Sequence, residues 1–100
     1  MEGRGVRLDE GEAAHWYRKA AERGYAAAEN ALGFLYDSGQ AVPEDHVEAA
    51  RWYRKAARQG NLQAEFNLGA LYDIGQGVPL DHAEAARWNL KVARRGIIDA

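Results

Sequence analysis

Trp16, Trp52 and Trp88 stand 36 residues apart, and the same interval separates Lys19, Lys55 and Lys91, and Gly24, Gly60 and Gly96. The block "WYRKAARQGNLQAEFNLGALYDIGQGVPLDHAEAA" restates "WYRKAAERGYAAAENALGFLYDSGQAVPEDHVEAA" at about two positions in three. The N-terminal "GRGVRLDEGEAA" follows the pattern of "GQGVPLDHAEAA". A fixed period of this length, sustained to both ends of the chain, specifies a solenoid whose units bury their apolar faces against one another. Nothing else in the sequence narrows the fold so far.

Each unit reads as two helices. "NLQAEFNLGALYDIG" spaces Leu62, Phe66, Gly69 and Leu71 or Tyr72 at helical intervals among good helix formers. "QGVP" then breaks the helix through Gly75, Gly77 and Pro79. A second helix follows from Asp81, with Ala85, Trp88 and Val92 on one face and an arginine-rich last turn before Gly96. That glycine suits a left-handed C-cap, and the basic turn suits the negative end of the helix dipole. Five helices result, starting near Asp9, Tyr25, Asp45, Asn61 and Asp81, and a sixth begins at Ile97. The expected class is all-α, an α/α solenoid of five antiparallel helices in a right-handed superhelix, with no period-2 strand pattern. The expected organisation is one repeat domain over 1–100: a first helix at 9–24, units at 25–60 and 61–96, and an incomplete unit at 97–100.

"DHVE" at 45–48 has the look of chemistry, since an aspartate, a histidine and a glutamate fall within one helical turn. The repeat supplies a simpler reading. Asp9, Asp45 and Asp81 each open a helix, and Glu12, Glu48 and Glu84 stand three residues later, a close variant of the capping box. Each side chain is then expected to satisfy a backbone N–H at the helix start. His46 and His82, at the first helical position, are expected to face solvent. Equivalent positions of adjacent units are roughly 10 Å apart, too far to share one metal ion. No metal site and no cofactor is expected.

No H-E-x-x-H, G-x-S-x-G or G-x-x-x-x-G-K-[ST] occurs. The absence of Cys removes disulfides, thiolate ligands and thiol nucleophiles. No apolar run approaches the ~20 residues that span a bilayer. A formal net charge of −2 gives no pull toward nucleic acid, and the arginines of the second helices interleave with acids. A non-enzyme is expected.

Written as a unit, "AEFNLGALYDIGQGVPLDHAEAARWNLKVARRG" resembles the Sel-1-like repeat, A-x-x-x-L-G-x-x-Y-x-x-G-x-G-V-x-x-D-x-x-x-A-x-x-W-x-x-x-A-A-x-x-G. The first full unit carries Ala28, Leu32, Gly33, Tyr36, Gly39, Val42, Asp45, Ala49, Trp52, Ala56, Ala57 and Gly60. The second carries Ala64, Leu68, Gly69, Tyr72, Gly75, Gly77, Val78, Asp81, Ala85, Trp88, Ala93 and Gly96. Ala41 replaces the second loop glycine and Val92 the first of the paired alanines, departures that bear on loop shape and not on the fold. The resemblance implies helix pairs related to tetratricopeptide repeats, with the "LG–Y" helix (A) on the concave side and the "DH–W" helix (B) on the convex side. It also implies a bacterial style of repeat and an adaptor that assembles protein complexes. Some bacterial relatives have been described as β-lactam-binding or β-lactam-hydrolysing; those lean on cysteine-linked repeats, so a hydrolase stands as the remotest alternative here.

In that frame Gly33 and Gly69 mark close helix crossings, and Trp16, Trp52, Trp88, Tyr36 and Tyr72 are packing residues. Partner-binding candidates are the residues of helix A that vary between units: Asn30, Phe34 and Asp37, then Gln63, Phe66, Asn67, Asp73 and Ile74. Phe34 and Phe66 side by side would form an apolar anchor. Glu29, Asp37, Glu65 and Asp73, with no Lys or Arg on either A helix, predict an acidic groove suited to a neutral or basic peptide. At the C-terminal end Trp88, Leu90, Ile97 and Ile98 offer apolar surface for self-association into a homo-oligomer, the second functional alternative. The N-terminus lacks the apolar core of a signal peptide. The compartment is expected to be cytoplasmic if the chain is complete, and periplasmic or secreted if it is an excerpt of an exported protein.

Overall fold

A computed structural model describes residues 10–99, with side chains from 11 to 95. Five helices follow one another: α1 (Glu10–Glu22), α2 (Ala26–Ser38), α3 (His46–Arg58), α4 (Leu62–Ile74) and α5 (His82–Asp99). No strand occurs among the described residues. The extensive helix interfaces all join sequence neighbours, α1 to α2 through α4 to α5. The molecule is accordingly drawn out, 49 × 32 × 24 Å, with a radius of gyration of 14.8 Å against the ~13 Å of a compact chain this long. This is a solenoid of A-type helices (α2, α4) alternating with B-type helices (α1, α3, α5).

Two turns alternate. The short one, from B to A, pivots on Gly24 and Gly60 at φ 88 and 86. The long one, from A to B, begins with Gly39 or Gly75 in the left-handed region, their N–H groups donating to Leu35 O and Leu71 O, each at 2.8 Å. Ala41 takes φ 66, close to the φ 73 of its counterpart Gly77, so the loop keeps its shape despite the substitution.

Small residues set the spacing and large ones fill it. Ala49, Ala56, Ala64, Leu32 and Leu68 are fully buried, and Tyr53 nearly so. A Cβ on Gly33 would lie 2.7 Å from the Tyr53 ring, and one on Gly69 would lie 3.2 Å from Trp88 Cβ. Both glycines therefore sit at close crossings of helix A and helix B, with no room for a Cβ at Gly33 and a tight fit at Gly69. Trp52 is buried with Ala14, Ala21, Ala28, Leu32 and Leu35, so it closes onto the unit that precedes it. Trp88 leans in the same sense on the cluster around Tyr53 and Leu68. Lys55 and Lys91 cap these rings at 4.8 and 4.9 Å, which accounts for the lysine that recurs three residues after each tryptophan.

Several expectations are corrected. Trp16 is 59% exposed and not a packing residue, because no helix precedes α1 in the described structure for its ring to lie on. The capping box is half made: Asp45 and Asp81 accept from Glu48 N and Glu84 N at 3.1 and 3.0 Å, but the glutamates pair with Arg51 and Arg87 instead of reaching back. The N–H groups they would have served already donate to Tyr36 O and Tyr72 O. His46 does not face solvent; its Nδ1 lies 2.8 Å from Asp37 Oδ1, with the ring partly buried. His82 makes the same contact with Asp73 while largely exposed. No helix begins at Ile97, since α5 continues through Gly96. At Gly24 and Gly60 the turn is held by a side chain 35 residues on: Gln59 donates to Gly24 O and Arg95 to Gly60 O. The start at Asp9 lies outside the described residues.

Candidate functional site

The A-type helices bound a cavity of about 630 Å³. Ala13 and Tyr17 of α1 form one flank; Ala27, Asn30, Ala31, Phe34 and Leu35 of α2 form the floor. Gln63 and Asn67 of α4 stand opposite, with Gln40 and Asn61 from the adjoining turns. The repeat explains how these side chains converge. Positions 27, 30, 31 and 34 share one face of α2, and the 36-residue translation brings the corresponding stripe of α4 alongside.

Among the described residues no charged side chain lines this cavity, in a chain where 28% of residues are charged. Five of the chain's eight Asn and Gln side chains do. Asn67 Nδ2 donates to Asn30 Oδ1 at 3.1 Å across the seam between α2 and α4. Asn61 caps α4 by accepting from Ala64 N at 2.8 Å. Phe34 is half exposed at the rim.

The acidic groove expected from the composition of the A helices is overturned. Glu29 and Glu65 are buried, at 4% and 2% exposure. Each is tied to the end of the B helix of its own unit: Gln59 Nε2 donates to Glu29 Oε1 at 2.9 Å, and Arg95 Nη1 to Glu65 Oε2 at 3.1 Å. Burial without such partners would cost several kcal/mol, so the partners and the helix N-terminal dipole explain how acids persist there. Asp37 and Asp73 bond to His46 and His82 and do not line the cavity. Asp37 also hydrogen-bonds Tyr53; burial, reinforced by that carboxylate, pushes the Tyr53 hydroxyl far above its ordinary range.

Of the residues singled out in the sequence, the fold brings Asn30, Phe34, Gln63 and Asn67 together. Phe66, half exposed, and Ile74, at the exposed end of α4, lie outside the cavity wall. Phe66 and Phe34 therefore do not form a shared anchor within it. Tyr17, Gln40 and Asn61 also line the cavity although they lie off the A helices, and the concentration of amides at residues 61–67 is their signal in the sequence. At the other end, Trp88 packs on the core while Leu90 is 53% exposed. The side chains of Ile97 and Ile98 lie outside the described residues.

Among the described residues no group of three or more His, Cys, Asp or Glu could hold a metal ion. Nor is any helix long and apolar enough to cross a membrane.

The Sel1 repeat family model matches residues 1–25, 26–61 and 62–97. No curated protein matches the chain by sequence. Among solved structures, a Sel1 repeat protein from Oxalobacter formigenes is 40% identical with a TM-score of 0.84, covering 93% of this chain and 38% of its own. A protective antigen of uropathogenic Escherichia coli with the same repeat fold is 41% identical with a TM-score of 0.88, over 95% of this chain and 20% of its own. Helicobacter pylori cysteine-rich protein B is 25% identical with a TM-score of 0.82, over 87% and 65%. This chain thus spans well under half the length of the first two.

Proposed function

The chain belongs to the Sel1 repeat family, and from that premise we propose that it is a non-catalytic scaffold that binds a protein segment on its helix-A face. Sel1 repeat proteins generally serve as protein-interaction scaffolds, and their structural neighbours are typically non-catalytic. The observation that carries the reading here is the cavity between α1, α2 and α4, where Asn30, Phe34, Gln63 and Asn67 converge. None of these residues is part of the family's repeat pattern. Side chains that packing does not require, gathered in one concave place, are what a binding surface supplies.

Panning a random peptide display library against the chain tests this. Segments that bind the wild type and are lost with Phe34→Ala or Asn67→Ala support it; segments that bind all three alike place recognition elsewhere. Failure to recover any segment sinks the scaffold reading.

A second reading has its own observation. Arg18 and Arg54 donate to the Tyr36 and Tyr72 hydroxyls one half-period on, but the third residue in that register is Leu90, which is exposed. Self-association through this face of α5 predicts a concentration-dependent mass in sedimentation that Leu90→Arg returns to the monomer. A constant monomeric mass rejects it.

A further inference from the structure

We propose that the cavity selects an extended polypeptide segment free of charge, reading its backbone with Asn30 and Asn67 while an apolar side chain rests on Phe34. The inference rests on the scaffold reading above and adds the chemistry of the partner.

The charge pattern comes first. Among the described residues no charged side chain lines the cavity, and the A-helix acids Glu29, Glu65 and Asp37 are already engaged with Gln59, Arg95 and His46. A charged ligand group entering this space would give up water and find no counterion, so the site discriminates against it. An uncharged segment loses nothing of that kind.

The hydrogen-bonding groups then say what kind of uncharged segment fits. A carboxylate asks only for donors and an ammonium only for acceptors, whereas amide side chains offer both. Asn67 spends one N–H on Asn30 Oδ1 at 3.1 Å. That bond fixes the orientation of both side chains and leaves the Asn67 carbonyl and the Asn30 amide group as an adjacent acceptor and donor. A peptide unit presents the matching pair, an N–H and a C=O, and presents it whatever the side chain. Phe34 and Tyr17, 51% and 41% exposed, add apolar surface at the rim that a purely polar ligand would leave wetted.

The test uses the whole chain, isotope-labelled, and follows the side-chain amide resonances of Asn30, Gln63 and Asn67. Three short synthetic peptide pools are titrated: one built from Ser, Thr, Asn, Leu and Val, one enriched in Lys, one enriched in Asp. A pool of neutral oligosaccharides is run in parallel. The uncharged peptides are expected to shift these resonances, with an affinity that changes less than about twofold between about 0.05 and 0.5 M salt. Asn67→Asp, nearly isosteric, should weaken the uncharged pool about tenfold or more and create salt-sensitive binding of the Lys pool. Preferential binding of the Lys or Asp pool by the wild type, at these resonances, overturns the inference and leaves the scaffold reading standing. Shifts from the oligosaccharides and from no peptide, or from no pool at all, overturn both.

Discussion

Gly33 lies beneath the ring of Tyr53, so close that a Cβ added to it would meet Tyr53 Cδ1 at 2.7 Å and Ala49 O at 3.2 Å. Tyr53 is 1% exposed and hydrogen-bonded to Asp37, so its ring has nowhere to go. Gly69 occupies the same place one unit on, but its nearest neighbour is the side chain of exposed Asn89, at 3.1 Å. Gly33→Ala is therefore expected to destabilise the fold by about 2–3 kcal/mol. Gly69→Ala should stay within about 1 kcal/mol of the wild type, because Asn89 can yield and alanine's helix propensity offsets the crowding. Urea denaturation of the two variants checks this; equal losses would show that the ring of Tyr53 is not the obstacle.

The second loop position divides in the opposite way. Ala41 is exposed and holds φ 66, a conformation that costs a residue with a Cβ about 1–2 kcal/mol. Ala41→Gly is expected to stabilise by about 0.5–1 kcal/mol, the relief exceeding the extra freedom gained by the unfolded chain. A Cβ on Gly77 would stand 2.0 Å from His46 O, which is backbone. Gly77→Ala should cost about 3 kcal/mol or more, since the loop must leave α3 to make room. Thermal unfolding of both variants would reveal shifts of opposite sign.

The buried carboxylates predict a graded series at position 95. Arg95→Ala strips Glu65 of its charged partner and is expected to cost about 2 kcal/mol, below the value for a fully enclosed pair because Arg95 is partly exposed. Arg95→Gln reproduces the arrangement seen at Gln59 and Glu29 and should recover part of that loss. If the two variants unfold at the same denaturant concentration, the bond from α5 to Glu65 contributes nothing.

Tyr53 gives the chain an alkaline weakness. Its hydroxyl ionises well above its ordinary value of 10.0 in the folded state but near 10 in the unfolded chain. The raised folded value means that the stabilisation is complete below pH 10 and drains away as pH rises beyond it, because the unfolded state alone releases the proton. The expected slope from this residue is about 1.4 kcal/mol per pH unit. Tyr53→Phe lowers stability at neutral pH by losing the bond to Asp37, yet should fall less steeply above pH 10. Parallel slopes would exclude Tyr53 as the source.

The sequence by itself determined the period, the helix pair within it and the class of repeat, because those follow from local chemistry that recurs: Trp16, Trp52 and Trp88, the glycine-bearing breaks between helices, and Asp45 and Asp81 at the starts of α3 and α5. It also exposed Asn30, Phe34, Gln63 and Asn67 as residues the repeat does not demand. What it could not determine was which polar side chains remain in water. Glu29 and Glu65 read as surface acids on an amphipathic helix, and only the packing of the B helix that follows, with Gln59 and Arg95 reaching back 30 residues, takes them inside. The same packing seats Trp52 against α1 and α2 while Trp16 stays bare. Local periodicity fixes a helix and its faces; whether a given face is solvent, core or cavity depends on the neighbour that covers it, and that neighbour is supplied by tertiary structure.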